Sequence, residues 1–495
     1  MRRDVKRLIV VILTFCMLFI ALTGCGGGNS EPTPEPTMTP EELAAIAEQE
    51  AYDAFKKQFY TDYQHENFDA SNIVFTFAAI SDIHMGLYKQ DEKLKDSMEF
   101  LNSRLVNRLD AVMIAGDLTN SYNASKDESQ ITTFRDIMIN TLPQETAFFY
   151  CLGRAHDCGG YDTSGVQRTG DAQREKFYEL LGDRFRVGET QTYDELVDGY
   201  KHSVINGFNF FALDMVAGDY SNQSLKWLRN KLEEVTTAEP SKPVFVTTHV
   251  PADSTALRKV LSDFPQVIHF SGHEHIPFNT QRAILQGDFT ELFLGGMAYY
   301  RETNVDSLSI YDNGNTFEYS QGFVVEVDAN NNTRVLRYDM YYKDVLDITW
   351  VIPAAKEDKS HLTTYVLENF RNGEKPVFPE NAEVTFEFPQ ENIADPIKIS
   401  FPRAQSVDGM EITHYAINVA YKDGGGNSYS ETMTISSLLV KHPDGVGLPE
   451  IYTVEVPGVA PPYSFKVTVR AYTCAGKSSA VLKGEFVSEK YVDII

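Results

Sequence analysis

Five of the eleven histidines, together with a Gly-Asp pair, fall in short motifs that directly follow apolar, strand-like runs. In chain order these are Ser81-Asp82-Ile83-His84, Gly116-Asp117-Leu118-Thr119, Gly153-Arg154-Ala155-His156-Asp157, Thr248-His249-Val250-Pro251 and Gly272-His273-Glu274-His275. Carboxylate and imidazole together suit Mn, Fe, Zn or Ni, and a set of oxygen and nitrogen donors without thiolate argues against a structural zinc. Asp82/His84 and His273/His275 are each i, i+2 pairs. In an extended chain both side chains of such a pair point to one side, so two ligands can hold one ion. Any single motif is weak, because a lone His after a strand is more often a hydrogen-bonded structural residue and a Gly-Asp pair more often a turn. The five in this order carry the weight.

The elements that must position these residues are legible in the apolar pattern. Ile73–Ile80, Ala111–Ala115, Ala147–Leu152, Val244–Thr247 and Val267–Phe270 have the length and the β-branched or aromatic content of strands. Helix-like segments lie between them: Leu94, Met98, Leu101 and Leu105 share one helical face, as do Leu225, Leu228 and Leu232. Tyr200–Asp214 reads as a β-hairpin about Asn206-Gly207. The mixture predicts an α/β sandwich with some antiparallel pairing, and the motifs fall at strand ends, where open α/β sheets form ligand sites.

The order D-x-H, G-D, G-N-H-D, H, G-H-x-H resembles that of the calcineurin-like metallophosphoesterase superfamily, from about Asn72 to about Trp350. The resemblance implies an α/β fold of two packed β-sheets flanked by helices, and two divalent metal ions as cofactor, drawn from Mn, Fe, Zn or Ni. It implies that Asp82, His84 and His275 hold one metal, that Asp117 bridges the two, and that His249 and His273 hold the second. His156 is then placed beside the leaving group, with Asp157 orienting it. Two cations about 3.5–4 Å apart would clamp a phosphate ester and lower the pKa of a water between them towards ~7, giving hydroxide for in-line attack.

The pattern departs at one position. Where the family has a metal-ligating Asn before the His, this chain has Ala155, preceded by Arg154, with Gly153 one place further away. The second metal therefore loses a ligand and is expected to bind more weakly. Arg154 has two readings: its guanidinium binds substrate phosphate and partly replaces the weak cation, or it points to solvent. Cys151 and Cys158 flank this motif, and either bridge the loop as a disulfide or leave Cys151 as a small buried hydrophobe.

The flanking regions set the context. Arg2, Arg3, Lys6 and Arg7 precede an apolar run, Leu8–Leu22, shorter than the ~20 residues of a spanning helix, so residues 1–24 read as a secretion signal. Its end, Leu22-Thr23-Gly24-Cys25, resembles a bacterial lipobox, which implies lipidation at Cys25 and an extracytoplasmic, membrane-anchored protein. Residues 25–71 read as a Pro/Gly/Thr-rich tether and a helix that starts near Thr39 and runs to about Tyr60. The catalytic-type domain occupies 72–352, ending in a hairpin at Gln321–Tyr338, and 353–382 is a polar connector. Over 383–487 apolar residues alternate, as in Ile397/Ile399/Phe401, Tyr415/Ile417/Val419/Tyr421 and Phe465/Val467/Val469/Ala471, which predicts an all-β sandwich. This resembles a fibronectin type III module, with Phe401 and Phe465 where that family usually has Trp and Tyr. Such a module is expected to act as a spacer or to face cell-surface polysaccharide or protein.

Composition narrows the partners. Forty-four basic residues against seventy acidic ones give a net charge of −26, a surface that repels phosphate backbones, so no nucleic acid is expected. An acidic body with one cationic pocket suits a small phosphorylated substrate. The expectation is a metal-dependent phosphohydrolase cleaving a phosphomonoester or phosphodiester. The alternative is a catalytically degenerate relative acting in binding or adhesion.

Overall fold

The computed structural model describes residues 65–487 except 88, 105–108, 121–123, 154–155, 158–169, 186–198, 216–219, 253–255, 277, 279–282, 300–318, 342, 346–348, 367, 370–372, 390–394, 408–411, 437–449, 459–463 and 474–475. The leader, Cys25, the tether with its helix, Arg154, Ala155 and Cys158 lie outside the described residues. Among the described residues no helix is long and apolar enough to cross a membrane.

Strand β1 (Ile73–Ile80), helix α1 (Gln90–Arg104), β2 (Ala111–Ala115), α2 (Ala124–Thr141) and β3 (Ala147–Cys151) follow one another as expected. β1 pairs in parallel with β2 and β2 with β3. After α3 (Gly170–Leu181) the chain makes the hairpin β4 (Tyr200–Ile205) and β5 (Phe208–Leu213). Its turn takes the left-handed backbone at Asn206 (φ 48°) and Gly207 (φ 82°) that a two-residue hairpin loop of this kind demands. Helix α4 (Asn222–Ala238), β6 (Val244–Thr248), α5 (Ala256–Leu261), β7 (Val267–Ser271), β8 (Ile284–Gln286) and β9 (Thr290–Phe293) complete a second sheet of order β4-β5-β6-β7-β9-β8. β10 (Gln321–Asp328), β11 (Thr333–Asp339), β12 (Asp344–Val345) and β13 (Trp350–Ile352) return to the first sheet, where β10 lies antiparallel to β1.

Period-two burial explains why the two sheets pack. Phe75, Phe77 and Ala79 of β1, Phe208, Phe210 and Ala212 of β5, and Phe323, Val325 and Val327 of β10 share one buried cluster between the sheets. Phe77 of the first sheet meets Phe210, Phe245 and Phe270 of the second at ring-centroid distances of 5.3, 4.8 and 5.8 Å. A buried ring of this kind is worth about 3–5 kcal/mol against alanine. The outer face of the second sheet buries Phe211, Leu213 and Val246 against Leu225, Leu228 and Leu232 of α4, the helical face expected from sequence. Leu94, Met98 and Leu101 of α1 are likewise buried.

The C-terminal region is all-β. β14 (Thr385–Glu387), β15 (Ile397–Pro402) and β18 (Ile451–Val456) form one sheet, and β17 (Ser428–Ser436), β16 (Ile412–Lys422), β19 (Ser464–Thr473) and β20 (Leu482–Val487) the other. The alternating residues named above meet in one core, with Phe465 stacked on Tyr421 at 5.0 Å. The polar connector makes specific contacts at its described residues. His361 is buried, accepts the Lys356 N–H at Nδ1 (3.0 Å) and donates from Nε2 to Pro265 O (2.9 Å). Tyr365 packs on the core between the first two sheets, while Phe378 packs on the C-terminal sandwich core.

Candidate metal centre

Every sequence-predicted site residue that is described lies just past the carboxyl end of a strand in one of the two sheets: Asp82 and His84 after β1, Asp117 after β2, His156 and Asp157 after β3, His249 after β6, and His273 and His275 after β7. The extended backbone assumed for the i, i+2 pairs is not what brings them together. Asp82, His84, Asp117, His273 and His275 all have left-handed φ, between 49° and 71°. Such φ values are sparsely populated for residues other than glycine and persist only where surroundings impose them. Here backbone bonds between loops do so: Asp82 N–H donates to Gly116 O (3.0 Å), His84 N–H to Asp117 O (2.9 Å) and Gly272 N–H to His249 O (2.9 Å).

Among the described residues, three sets of donor atoms lie within 4.8 Å of one another: Asp82/His84/His275, His84/Asp117/His156 and Asp82/Asp117/His249. His275 Nε2 is 3.1 Å from Asp82 Oδ1 and 3.4 Å from His84 Nε2. His249 Nε2 is 3.2 Å from Asp117 Oδ2, and His156 Nε2 is 3.9 Å from the same oxygen. His273 belongs to none of the three sets. Its ring is exposed and lies 5.2 Å from that of His249, while its backbone N–H donates to both oxygens of Asp82 (3.2 and 3.0 Å).

The ring nitrogens facing away from the cluster fix the tautomers. His249 Nδ1–H donates to Ala115 O and His275 Nδ1–H to Tyr299 O, each at 2.8 Å, leaving both Nε2 atoms for the carboxylates or a cation. Burial alone would raise Asp82, but the charge and hydrogen bond of His275, with His249 and His84, hold its carboxyl well below the usual range. Burial would lower His249, yet Asp117 and then Asp82 push it up to about 10. His84 is driven down to about 3 by burial, against Asp117 and Asp82. Asp117 Oδ1 is buried and has no hydrogen-bond partner among the described residues, and two imidazole nitrogens face each other across 3.4 Å. An orphaned carboxylate oxygen among converging carboxylate and imidazole donors fits divalent cations.

Gly153 answers one question raised by the altered third motif. A Cβ there would stand 1.8 Å from Asp117 Oδ1, so the β3 loop passes directly under that carboxylate. Asp157 departs from its expected role. It is fully buried, and instead of orienting His156 it accepts N–H bonds from Leu118 (3.1 Å), Thr119 (2.9 Å) and Gly153 (2.8 Å), tying the β3 loop to the Asp117 loop. Burial and the neighbouring Asp117 raise its carboxyl to about 7, against those three bonds. Cys151 is a free buried thiol, raised well above its ordinary value by burial first.

Two supports carry no motif. Asp214 accepts from Lys201 Nζ (2.9 Å), Tyr178 Oη (3.0 Å) and the Leu152 N–H (2.8 Å), joining β4, α3 and the end of β3 in a buried network behind His156. The segment after β9, Gly295-Gly296-Met297-Ala298-Tyr299, stacks a tyrosine on the first histidine pair. Its only sequence signal is a Gly-Gly directly after an apolar run.

Residues 75–277 match the family model for calcineurin-like phosphoesterases. That span contains every described residue of the sequence-predicted site, while Tyr299 lies beyond it. No curated protein matches by sequence. Among solved structures the chain is similar to a purple acid phosphatase from yellow lupin (Lupinus luteus) seeds, at 13% identity over 59% of this chain and a TM-score of 0.40. The chain spans 56% of the length of that phosphatase. It is also similar to a human fourth FNIII domain (14% identity, 24% of this chain, 82% of that one, TM-score 0.15). A third likeness is to titin module A71 from human cardiac muscle (18% identity, 23% of this chain, 86% of that one, TM-score 0.12).

Proposed function

We propose that the protein is a metal-dependent phosphohydrolase that cleaves a small phosphomonoester or phosphodiester. The observation that carries this reading is the convergence of Asp82, His84, Asp117, His249 and His275 on one buried point where Asp117 Oδ1 has no hydrogen-bond partner among the described residues. Asp82, His84 and His275 would hold one cation and His249 with His273 the second, with Asp117 between them. When bound, divalent cations supply a nucleophile from water near neutral pH and neutralise charge on the phosphoryl oxygens.

The rest falls to the chain's own residues. His156, partly exposed and perpendicular to His84 at 4.7 Å, is placed to hydrogen-bond or protonate the departing oxygen at Nε2. Asp157 and Asp214 hold the start of its loop through the backbone N–H groups of Gly153 and Leu152. Left-handed ligand backbones keep the donors aimed before substrate arrives. We further propose that Cys25 is lipidated, that the protein works on the extracytoplasmic face of the membrane, and that the fibronectin III-like module is a spacer or contacts surface polysaccharide or protein.

The test is hydrolysis of para-nitrophenyl phosphate and its bis-ester by the purified protein with and without added Mn2+. Turnover that rises with Mn2+ and is lost to chelator supports the reading. A degenerate relative is the second reading, favoured by Ala155 and by His273 standing apart from the donor sets. Absence of turnover on both esters, unchanged in Ala155→Asn, would establish it instead.

A further inference from the structure

The segment Gly295–Tyr299 is bonded to every part of the first half of the centre. Met297 N–H donates to Ser81 O (2.9 Å) and Ala298 N–H to Asp82 O (3.1 Å). Gln90 and Lys93 of α1 donate to Met297 O and Ala298 O. Gly296 takes φ 90°, and a Cβ there would stand 3.2 Å from His275 Nδ1, so the segment lies against the histidine ring itself. Tyr299 ends the segment. Its carbonyl holds His275 Nδ1–H at 2.8 Å, and its ring stacks on His275 (4.2 Å, 19°) and on His84 (5.2 Å, 27°). His84 and His275 are 1% and 2% exposed, whereas Tyr299 is half-buried, so the phenol ring is part of what separates both imidazoles from solvent.

We propose that Tyr299 is a positioning residue that sets how tightly and for how long the Asp82–His84–His275 half holds its cation. The inference rests on the reading of this cluster as a divalent-cation site. Partners that orient ligating histidines typically change metal affinity 10–100-fold when removed, and offset stacking resists rotation of the imidazoles out of the donor geometry. Among the described residues no ring stacks on the other half: the buried His249 meets the exposed His273 edge-on. Loss of the Tyr299 ring therefore acts on one half only.

The experiment loads full-length protein with Mn2+, removes free ion, and follows release into excess chelator for wild type, Tyr299→Phe, Tyr299→Leu and Tyr299→Ala. Wild type should release in a fast and a slow phase, the slow one from the covered half. Tyr299→Ala should speed the slow phase about 10–100-fold with the fast phase unmoved. Tyr299→Phe should match wild type, because the ring and the carbonyl remain. Tyr299→Leu keeps apolar bulk without the ring, and should release quickly; it also serves if the alanine variant fails to fold. An unmoved slow phase in both truncations, or equal acceleration of both phases, overturns the role of Tyr299 while leaving the cation site standing. Wild type that retains no Mn2+ overturns the cation site and the proposal together.

Discussion

The two halves of the centre are built from the same residue types and differ in how they are held. Around Asp82, His84 and His275 every donor is buried, two imidazoles are stacked under Tyr299, and the Gly295–Tyr299 segment is hydrogen-bonded to the β1 loop through backbone groups and to α1 and His275 through side chains. Around His249 the partners are Asp117, a carbonyl and the exposed ring of His273, and the position where the related family has a ligating Asn is alanine. Ligand identity alone already leaves the second half one donor short at Ala155. Their surroundings differ in the ring stacked over one pair of imidazoles and in the exposure of His273 in the other half.

Four results would break or sharpen that contrast. Asp117→Asn removes the charge both halves share and should reduce para-nitrophenyl phosphate turnover by about 10^3-fold or more, several kcal/mol of transition-state stabilisation; a loss under tenfold would mean the halves do not work together. His156→Gln acts only at the leaving group, so turnover of an alkyl phosphate should fall about 10^2-fold while the activated para-nitrophenyl ester falls much less. Equal losses on both esters would place His156 among the cation ligands. His273→Ala should weaken only the more loosely held ion, by about tenfold in a competition titration, whereas His84→Ala should eliminate the tightly held one. Equal effects would erase the distinction.

The smallest effect concerns the bracing of the covered half. Burial lowers the Lys93 ammonium from 10.5 to about 7. Between those values the folded chain carries fewer protons than the unfolded one, so stability should rise with pH over that interval and be flat below it. Lys93→Met should remove this slope and raise the urea midpoint at pH 7 relative to wild type. A slope that survives the substitution would assign it to another group.

The ease with which each part is read from sequence follows the range of its causes. Strands such as Phe75–Phe77–Ala79 and the Asn206-Gly207 hairpin are written in local pattern and appear where expected. The donors were legible because Asp and His in five short motifs are few enough to name. Extended i, i+2 pairs do not account for their convergence, and the left-handed turns at Asp82 and His84 are not legible because these residues bond to Gly116 and Asp117, distant in sequence. Tyr299 and Asp214 were missed for the same reason: each acts through partners far along the chain. The bonds of Asp157 to Leu118 and Thr119, distant in sequence, are not revealed by its adjacency to His156.

The most direct test is an anomalous-difference map from crystals of the full chain soaked in Mn2+. The account predicts two peaks about 3.5–4 Å apart on either side of Asp117. The one within bonding distance of Asp82, His84 and His275 should be the stronger, and the one at His249 weaker and lost first on back-soaking. No peak at these residues, or one whose stronger ion sits at His249, would contradict it.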